Sequence, residues 1–243
     1  MTLTICAGTD KDGNREGFGR LDLRSGTLYA LCGHTGAGKS QLIKDVEMLV
    51  NRDSVSRRLI LADGRIPDRS DTGLIAHLGQ NMRFVLDVGA AQFVEMHLAC
   101  RRNASVRVAD VLKLANSITS ETVRGGDSLL ALSGGQSRAL MIADVALVCD
   151  SPIVLIDEIE NAGVDKAAAL DALLGKDKLV LIVTHDPHTM LLAAARIILA
   201  NGAIQKVVRR TDAELAESKR LTELYEGMNA LRNRLREGGE VES

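Results

Sequence analysis

Short apolar runs recur along the chain and indicate buried strands. The runs are rich in Leu, Ile and Val, they end in a glycine, a carboxylate or a histidine, and helix-like stretches separate several of them. Continuous apolar runs are typical of parallel strands that are covered on both faces. We therefore expect an α/β fold with a mainly parallel sheet, whose ligands bind beyond the carboxyl ends of the strands. The predicted strands are Thr27 to Gly33, Arg57 to Gly64, Pro152 to Glu158, Lys178 to His185 and Ala195 to Gly202.

Two other segments have helical spacing. Between residues 87 and 132 the apolar positions recur at helical intervals without a strand-like run, which predicts a helical insertion in the sheet domain. A capping box from Thr211 to Glu214 starts a C-terminal amphipathic helix. That helix either packs on its own domain or binds a second copy or another partner. Its apolar stripe consists of Leu221, Leu224, Met228, Leu231 and Leu235.

Length and composition fit a single globular domain. The chain has 243 residues, 46% of them hydrophobic and 26% charged, which is enough for one large core with a subdomain. We expect a nucleotide-binding core at 1–86 and 133–210, a helical subdomain at 87–132 and a C-terminal helix at 211–243. The formal net charge of −2 gives no general basic excess, so a nucleic-acid partner is not expected.

The sequence also bears on location and redox state. No apolar run reaches the roughly 20 residues that cross a bilayer, and the N-terminus lacks the features of a signal peptide. We expect no direct membrane insertion and a cytoplasmic protein, either free or peripheral at the inner face of the cell membrane. The cysteines have no CxxC spacing, which favours reduced thiols over a zinc site or disulfides.

The stretch GHTGAGKS fits the phosphate-loop (Walker A) pattern G-x-x-x-x-G-K-S, between a predicted strand and a helix-like run. In such loops backbone amides hold the α- and β-phosphates. Lys39 would reach the β- and γ-phosphates, and the Ser40 hydroxyl would bind Mg²⁺. The predicted nucleotide-binding residues are Gly33, His34, Thr35, Gly36, Ala37, Gly38, Lys39 and Ser40.

Polar side chains at other strand ends complete a candidate NTPase site. Asp157 and Glu158 end a buried strand, where one carboxylate can hold the metal and the other can polarise the attacking water. His185 ends the next predicted strand and can donate a hydrogen bond to the γ-phosphate. The neutral amide of Gln80 can reach Mg²⁺ or the water.

The stretch LSGGQSRAL, from Leu132 to Leu140, is a second glycine-rich helix start. Backbone N–H groups at such a start attract an anion, yet the stretch has no lysine of its own. The residues predicted to meet a phosphate here are Ser133, Gly134, Gly135 and Gln136.

Taken together and in order, these stretches resemble the ATP-binding-cassette (ABC) ATPase family from about Leu21 to Ile204. The resemblance rests on GHTGAGKS, Gln80, LSGGQ, IVLIDE, NAGVD and IVTHDP, and it implies a P-loop NTPase fold. It also implies a head-to-tail dimer, homomeric or heteromeric, that forms on ATP. Residues 133–136 would then face the γ-phosphate of the ATP held by the other subunit's phosphate loop.

The resemblance assigns a role to each strand-end residue. Glu158 is the implied catalytic base, Asp157 the magnesium-site acid and His185 the switch histidine. Gln80 is implied to contact the metal and to link the nucleotide to the helical insertion, and Asp165 is implied to contact the nucleotide. ATP and Mg²⁺ are the implied cofactors.

The implied function is ATP hydrolysis that powers transport through separate membrane subunits, which dock on the helical insertion beside Gln80. The alternative is a soluble ABC ATPase that remodels or activates a protein or nucleic acid through its C-terminal helix. DEIEN at 157–161 is similar to a stretch in non-transport relatives that act on DNA, but those carry long coiled-coil insertions. Only 94 positions (133 minus 39) separate Lys39 from Ser133, which is a transport-like spacing.

One departure from the family concerns the base of the nucleotide. Family members usually offer an aromatic ring to adenine shortly before the phosphate loop, but residues 1–17 contain no aromatic. Phe18 or the planar guanidinium of Arg15 can take that place. We therefore expect only modest discrimination between ATP and GTP.

Overall fold

Two sheets organise the computed structural model, which describes residues 1–70, 73–101, 105–158, 163–236 and 238. Within those ranges the strands are β1 (Thr2–Cys6), β2 (Arg20–Arg24), β3 (Leu28–Cys32), β4 (Leu59–Ala62), β5 (Ile75–Leu78), β6 (Ile153–Asp157), β7 (Leu179–Val183), β8 (Ala195–Ala200) and β9 (Ala203–Arg209). The α-helices are α1 (Lys39–Glu47), α2 (Ala90–Cys100), α3 (Val108–Ile118), α4 (Gly134–Leu147), α5 (Lys166–Leu174), α6 (Pro187–Leu192) and α7 (Asp212–Arg236).

The larger sheet has the order β5-β6-β7-β3-β8-β9. All its neighbouring strands pair in parallel except β9, which returns antiparallel to β8. Parallel pairing places the carboxyl ends of β5, β6, β7 and β3 at the same edge of the sheet. The expected α/β fold with a mainly parallel sheet is therefore confirmed.

Side chains alternate between the two faces of this sheet, and both faces are buried. Along β6, Val154 and Ile156 pack toward α4, α5 and the insertion helices, whereas Ile153 and Leu155 pack toward α1 and the smaller sheet. All four side chains are fully buried. Burial of one such side chain stabilises the fold by about 1.5–3 kcal/mol. The apolar strands therefore form the core that keeps the carboxyl edge of the larger sheet rigid.

The prediction for Arg57 to Gly64 was wrong in one respect. This run contains β4, which lies in the smaller sheet of order β2-β1-β4 and pairs antiparallel with β1. Ile60 is the fully buried residue of β4, and the others are partly exposed. An apolar run indicates a strand, but it does not distinguish a parallel sheet buried on both faces from an antiparallel sheet buried on one.

The segment 87–132 contains α2, α3 and a 3₁₀ turn (Leu129–Ala131), and its described residues contain none of the strands of either sheet. This agrees with the predicted helical insertion, while the subdomain boundaries themselves remain predictions. Residues 159–162, which include the start of NAGVD, and residues 239–243 of the predicted C-terminal segment lie outside the described ranges.

The C-terminal helix α7 begins with the predicted capping box. The Thr211 amide donates to Glu214 Oε2 at 3.0 Å, and the Glu214 amide donates to Thr211 Oγ1 at 3.3 Å. The alternative in which the helix packs on its own domain holds for part of α7, where Ser218 is buried and Thr222 contacts His188, but four residues of the apolar stripe are exposed. They are Leu224 (57%), Met228 (58%), Leu231 (43%) and Leu235 (54%).

Within the described ranges, no helix combines the length and the apolar character that crossing a bilayer requires.

Candidate functional site

The phosphate loop, residues 33–40, connects β3 to α1 at the carboxyl edge of the larger sheet. Gly36 and Gly38 have φ values of +80° and +103°, a region that side-chain-bearing residues avoid. A Cβ on Gly38 would come within 2.7 Å of the Gly202 backbone, so the loop needs glycine there for space as well. The Gly202 amide donates to the Ala37 carbonyl at 2.8 Å and braces the loop against the β8–β9 turn.

Lys39 lies folded over this loop. Its Nζ donates to the Gly33 carbonyl at 2.7 Å and to the His34 carbonyl at 3.2 Å. The ammonium group therefore lies at the mouth of the loop, where the phosphates would approach. Ser40 follows in the first turn of α1 and is exposed, so its hydroxyl is accessible to a metal ion.

The strand order brings the other predicted residues together. Gln80 follows β5, Asp157 and Glu158 end β6, and His185 follows β7, and these three strands are neighbours. The Gln80 amide group donates from Nε2 to Glu158 Oε2 at 2.5 Å. Gln80 and His185 are exposed, and the two carboxylates are partly exposed, as a substrate-facing set requires.

Glu158 has an unusual backbone conformation. Its φ is +48°, in the left-handed region, and its amide donates to the Val183 carbonyl of β7 at 3.1 Å. A residue other than glycine held in this region costs about 1–3 kcal/mol, and such strain concentrates at functional sites. Because of this turn, the Glu158 side chain contacts Gln80 and does not follow the alternation of side chains between the two sheet faces along β6.

The LSGGQ stretch forms the capped start of α4. Ser133 Oγ accepts a hydrogen bond from the Gln136 amide at 3.2 Å, and Gln136 Oε1 accepts one from the Ser133 amide at 2.9 Å. Gln136 Nε2 also donates to the Thr122 carbonyl at 2.8 Å, which ties the helix start to the insertion. Gly134 and Gly135 place bare backbone in the first turn, as the predicted anion site needs.

Asp165 has a structural task in this structure. Its Oδ1 accepts a hydrogen bond from the Ala168 amide at 3.0 Å and so caps α5, and its own amide donates to the Ile118 carbonyl at 2.6 Å. Its predicted contact with nucleotide remains a prediction. An added Cβ on the nearby Gly163 would lie 3.8 Å from Gly135, so this turn and the LSGGQ helix start are neighbours.

Arg138 is a residue of the site that sequence reasoning missed. It lies in α4, is buried, and donates from NH1 to the Gly79 carbonyl and from NH2 to the Asp157 carbonyl at 3.1 Å. One guanidinium thus connects the LSGGQ helix with the turn before Gln80 and with the end of β6. The available signal was a lone arginine in the apolar run of α4.

Arg138→Met is expected to lower ATP turnover on the order of tenfold, because hydrogen bonds from a charged donor to the two turns are lost. Steady-state kinetics would show the loss mainly in kcat, since the carbonyls of Gly79, Asp157 and Glu158 that accept from Arg138 lie outside the phosphate loop. Arg107→Met, which removes an exposed arginine paired with Asp110 on the insertion, is the control and should leave kcat unchanged. Equal kcat values for both variants would contradict a positioning role for Arg138.

The structure also bears on base recognition. Phe18 is partly buried and packs against the core beneath the smaller sheet, whereas Arg15 is exposed. A buried ring has less freedom to stack on a base, so Arg15 is the better of the two predicted substitutes. Its planar guanidinium can stack on either purine.

GTP is therefore expected to compete with ATP almost equally well, with affinities that differ by less than about tenfold, because stacking on a guanidinium reads no purine edge. Displacement of a fluorescent ATP analogue by each nucleotide measures the ratio. Arg15→Ala should weaken both nucleotides together, and Arg20→Ala, which removes an exposed side chain paired with Asp22 in the smaller sheet, is the control. A strong preference for ATP would contradict this prediction.

A groove opens between the Gln80 turn and the insertion. Its cavity volume is about 610 Å³, and Met82, Phe84, Leu130, Arg138 and Glu158 are among its lining residues. Met82 and Leu130 are 45% and 56% exposed. A groove lined by both polar and apolar side chains therefore begins directly at the Gln80–Glu158 pair.

Comparisons with known proteins show which proteins this chain is similar to. A family model described as "ABC transporter" matches residues 19–161. An uncharacterized ABC transporter ATP-binding protein of Methanocaldococcus jannaschii is 43% identical over 97% of this chain and 93% of its own length. An ATP-dependent lipid A-core flippase of Psychrobacter arcticus is 31% identical over 81% of this chain, which matches only 34% of the flippase.

Solved structures share the fold. The structure of an ATP binding subunit of an ABC transporter superimposes with a TM-score of 0.68 at 18% identity, over 94% of this chain and 100% of that one. The structure of cbiO1 from Clostridium perfringens, part of the ABC transporter complex cbiONQ, gives 0.62 at 20% identity, over 97% and 96%.

Proposed function

Because the chain belongs to the ABC transporter family and is an ATPase, we propose that two copies or two related subunits bind ATP between them, head to tail. Each site then combines one subunit's phosphate loop with the other subunit's LSGGQ stretch. ATP acts as the link between subunits, and its hydrolysis lets them separate. In this cycle the chain supplies the energy for transport through separate membrane subunits at the inner face of the cell membrane.

The observation that carries this proposal is the contact between Gln80 and Glu158 at the mouth of a groove that exposes Met82 and Leu130. Glu158 is placed to polarise the attacking water, and Gln80 joins that carboxylate to the surface where a partner would bind. A partner that moves the Gln80 turn therefore changes the surroundings of the catalytic base. This is the coupling that an ATP-driven transporter needs.

The LSGGQ stretch supports the shared site. Its helix start offers bare amides to an anion, and it has no lysine or magnesium ligand beside it in sequence. A second subunit's phosphate loop would supply both, through Lys39 and Ser40. The proposed sandwich thus gives each half-site the groups that it lacks alone.

Mg²⁺ fits the donors at the strand edge. The Ser40 hydroxyl, the Gln80 amide oxygen and the Asp157 carboxylate are hard oxygen ligands, which Mg²⁺ prefers. In the described part of the chain no group of three or more His, Cys, Asp or Glu forms a metal cluster, so phosphate oxygens of ATP would complete the set. Bound there, Mg²⁺ would neutralise charge on the β- and γ-phosphates.

The groove next to Gln80 is the proposed docking place for the membrane subunits. The exposed apolar side chains of Met82 and Leu130 line it, and Val85 and Leu86, which follow the lining residue Phe84 in sequence, are exposed as well. Exposed apolar residues that cluster beside a groove are typical of protein interaction sites.

Affinity capture from detergent-solubilised membranes tests the transport function. The wild-type chain should recover a polytopic membrane protein, Leu130→Glu should lose it, and Ile66→Glu, at an exposed apolar position of equal exposure, should retain it. If only soluble proteins are recovered, the transport function is wrong. The exposed stripe of α7 then supports the alternative of a soluble ABC ATPase that acts on another macromolecule.

A further inference from the structure

The C-terminal helix α7 is joined to the turn after β7 by an aromatic residue. The Tyr225 hydroxyl donates to Asp186 Oδ1 at 2.7 Å, and its ring stacks on His188 with centroids 4.9 Å apart and an interplanar angle of 28°. His188 Nε2 also lies 2.9 Å from Thr222 Oγ1, one turn earlier in α7. The start of α6 is therefore held by two positions of α7.

Asp186 connects α7 with two functional turns. Its Oδ2 accepts hydrogen bonds from the Thr189 amide at 3.0 Å and the Thr189 hydroxyl at 2.7 Å, which caps α6. Lys166 Nζ lies 3.1 Å from the same oxygen. Asp186 directly follows His185, and Lys166 directly follows Asp165. One carboxylate thus joins the turn of the switch histidine, the turn of Asp165 and the C-terminal helix.

This carboxylate is charged under all ordinary conditions. Burial raises the pKa of Asp186, but the hydrogen bonds from Thr189 and Tyr225 and the contact with Lys166 outweigh burial and hold that pKa at about 2. Hydrogen bonds to a buried charge are the strong ones, and removal of one donor leaves part of the charge unsolvated. The Asp186 cluster therefore resists rearrangement as long as its donors are present.

We propose that Tyr225 is a positioning residue for ATP hydrolysis, which fixes the turn of His185 relative to the turn of Asp165 through the Asp186 carboxylate. The inference rests on the proposed function, because it assigns those two turns to the ATP site. Tyr225 does not contact the reacting atoms. It acts by holding Asp186 in the arrangement that Lys166 and Thr189 share.

Because part of α7 is exposed, the contact between Tyr225 and Asp186 can regulate hydrolysis. Leu224 and Met228 flank Tyr225 in the helix and are exposed, so a force applied to α7 reaches Asp186 directly through the Tyr225 side chain. Coupling between a surface element and an active site requires such a contiguous physical path. Movement of α7 would loosen both turns at once and slow hydrolysis without closing the nucleotide site.

Tyr225→Phe tests the proposal, because it deletes one hydroxyl and keeps the ring on His188 and near Lys166 Nζ, which lies 5.3 Å from the ring centroid. We expect kcat to fall by about three- to tenfold with the KM for ATP unchanged. Leu224→Ala, an exposed neighbour in the same helix, is the control and should keep wild-type kcat. Thermal denaturation of both variants shows whether a lower kcat arises from lost stability of the fold or from slower hydrolysis by a folded protein.

A second variant asks whether the effect passes through Asp186. Lys166→Met should also lower kcat, and the double variant with Tyr225→Phe should fall less than the product of the two single effects, because both act on one carboxylate. Independent effects that multiply fully would overturn the proposed path. A rise in KM with constant kcat would overturn it as well.

The outcomes also separate this inference from the proposed function. If the wild-type chain hydrolyses ATP and Tyr225→Phe does so equally fast, Tyr225 only anchors the helix and this inference alone is wrong. If the wild-type chain has no ATPase activity, the proposed function is wrong and the inference fails with it.

Discussion

Glu158→Gln is expected to lower ATP turnover on the order of 10²-fold or more, because the attacking water loses its general base. The new amide has nearly the volume of the carboxylate and can still accept the hydrogen bond from Gln80 Nε2. The phosphate loop and the LSGGQ face are unaffected by the change. ATP should therefore remain intact between the subunits and hold them together.

Size-exclusion chromatography with light scattering measures the consequence. Glu158→Gln should be a monomer without nucleotide and a dimer with Mg-ATP. Adding Ser133→Arg should abolish the dimer and leave ATP binding at Lys39 intact, because the bulky cation blocks only the face meant for the other subunit's phosphate.

A matched control distinguishes the blocked subunit face from the loss of the N-cap of α4. Ser133 caps the helix, and loss of the cap on replacement by a residue such as Ala costs about 1 kcal/mol. Ser133→Ala in the Glu158→Gln background loses the same cap without adding bulk or charge, and it should still dimerise on ATP. Wild-type turnover by Glu158→Gln would show that the base is misassigned, and a dimer of the Ser133→Arg variant would refute the sandwich.

Asp157, Glu158 and His185 could be predicted because each ends a strongly apolar strand run, whereas Gln80 follows β5, which was not among the predicted strands, and was chosen by the family resemblance. Gln80, Asp157, Glu158 and His185 follow three neighbouring parallel strands, so their carboxyl ends meet at one edge. That Gln80 donates directly to Glu158 was not predictable, because it depends on the left-handed turn of Glu158.

Arg138 shows a different limit of sequence reasoning. Its acceptors are backbone carbonyls at positions 59 and 19 residues away in the chain. Every residue has a carbonyl group, so no residue type in the sequence marks such a partner. An arginine in an apolar helix indicates only that its guanidinium must find acceptors when it is buried.

The smaller sheet was missed for a related reason. β1 and β2 carry alternating polar residues, and β2 has a single fully buried side chain, Leu23. Half-exposed antiparallel strands give weak apolar runs, whereas the central strands give strong ones. The central strands β3, β6, β7 and β8 were therefore predictable, whereas the edge strands β5 and β9 and the strands β1 and β2 of the smaller sheet were not.

A buried charge cluster under the phosphate loop carries the second large effect. Arg58 is fully buried, its Nε and NH2 donate to Glu16 at 3.0 and 2.6 Å, and its NH1 donates to Asp45 of α1 at 3.0 Å. Its NH2 also donates to the Gly202 carbonyl, and Gly202 in turn braces the phosphate loop. Arg58 thereby connects β4, α1 and the β8–β9 turn.

Arg58→Met is expected to lower the free energy of unfolding by about 3–5 kcal/mol, because it leaves the Glu16 and Asp45 carboxylates buried without their cation. Urea denaturation measures the change. Arg69→Met breaks an ion pair with Asp53 whose side chains are 48% and 50% exposed, and it should cost at most about 1 kcal/mol. Because Gly202 loses a donor as well, ATP affinity should fall in Arg58→Met but not in Arg69→Met.

The physical cause can be tested within the same protein. If the loss arises from uncompensated charge, adding Glu16→Gln and Asp45→Asn to Arg58→Met should recover part of the stability, since the buried negative charges are removed. If it arises from lost packing of the arginine stem, the additional changes should recover nothing. Equal unfolding free energies for Arg58→Met and Arg69→Met would show that the buried Arg58 cluster does not stabilise the fold beneath the phosphate loop.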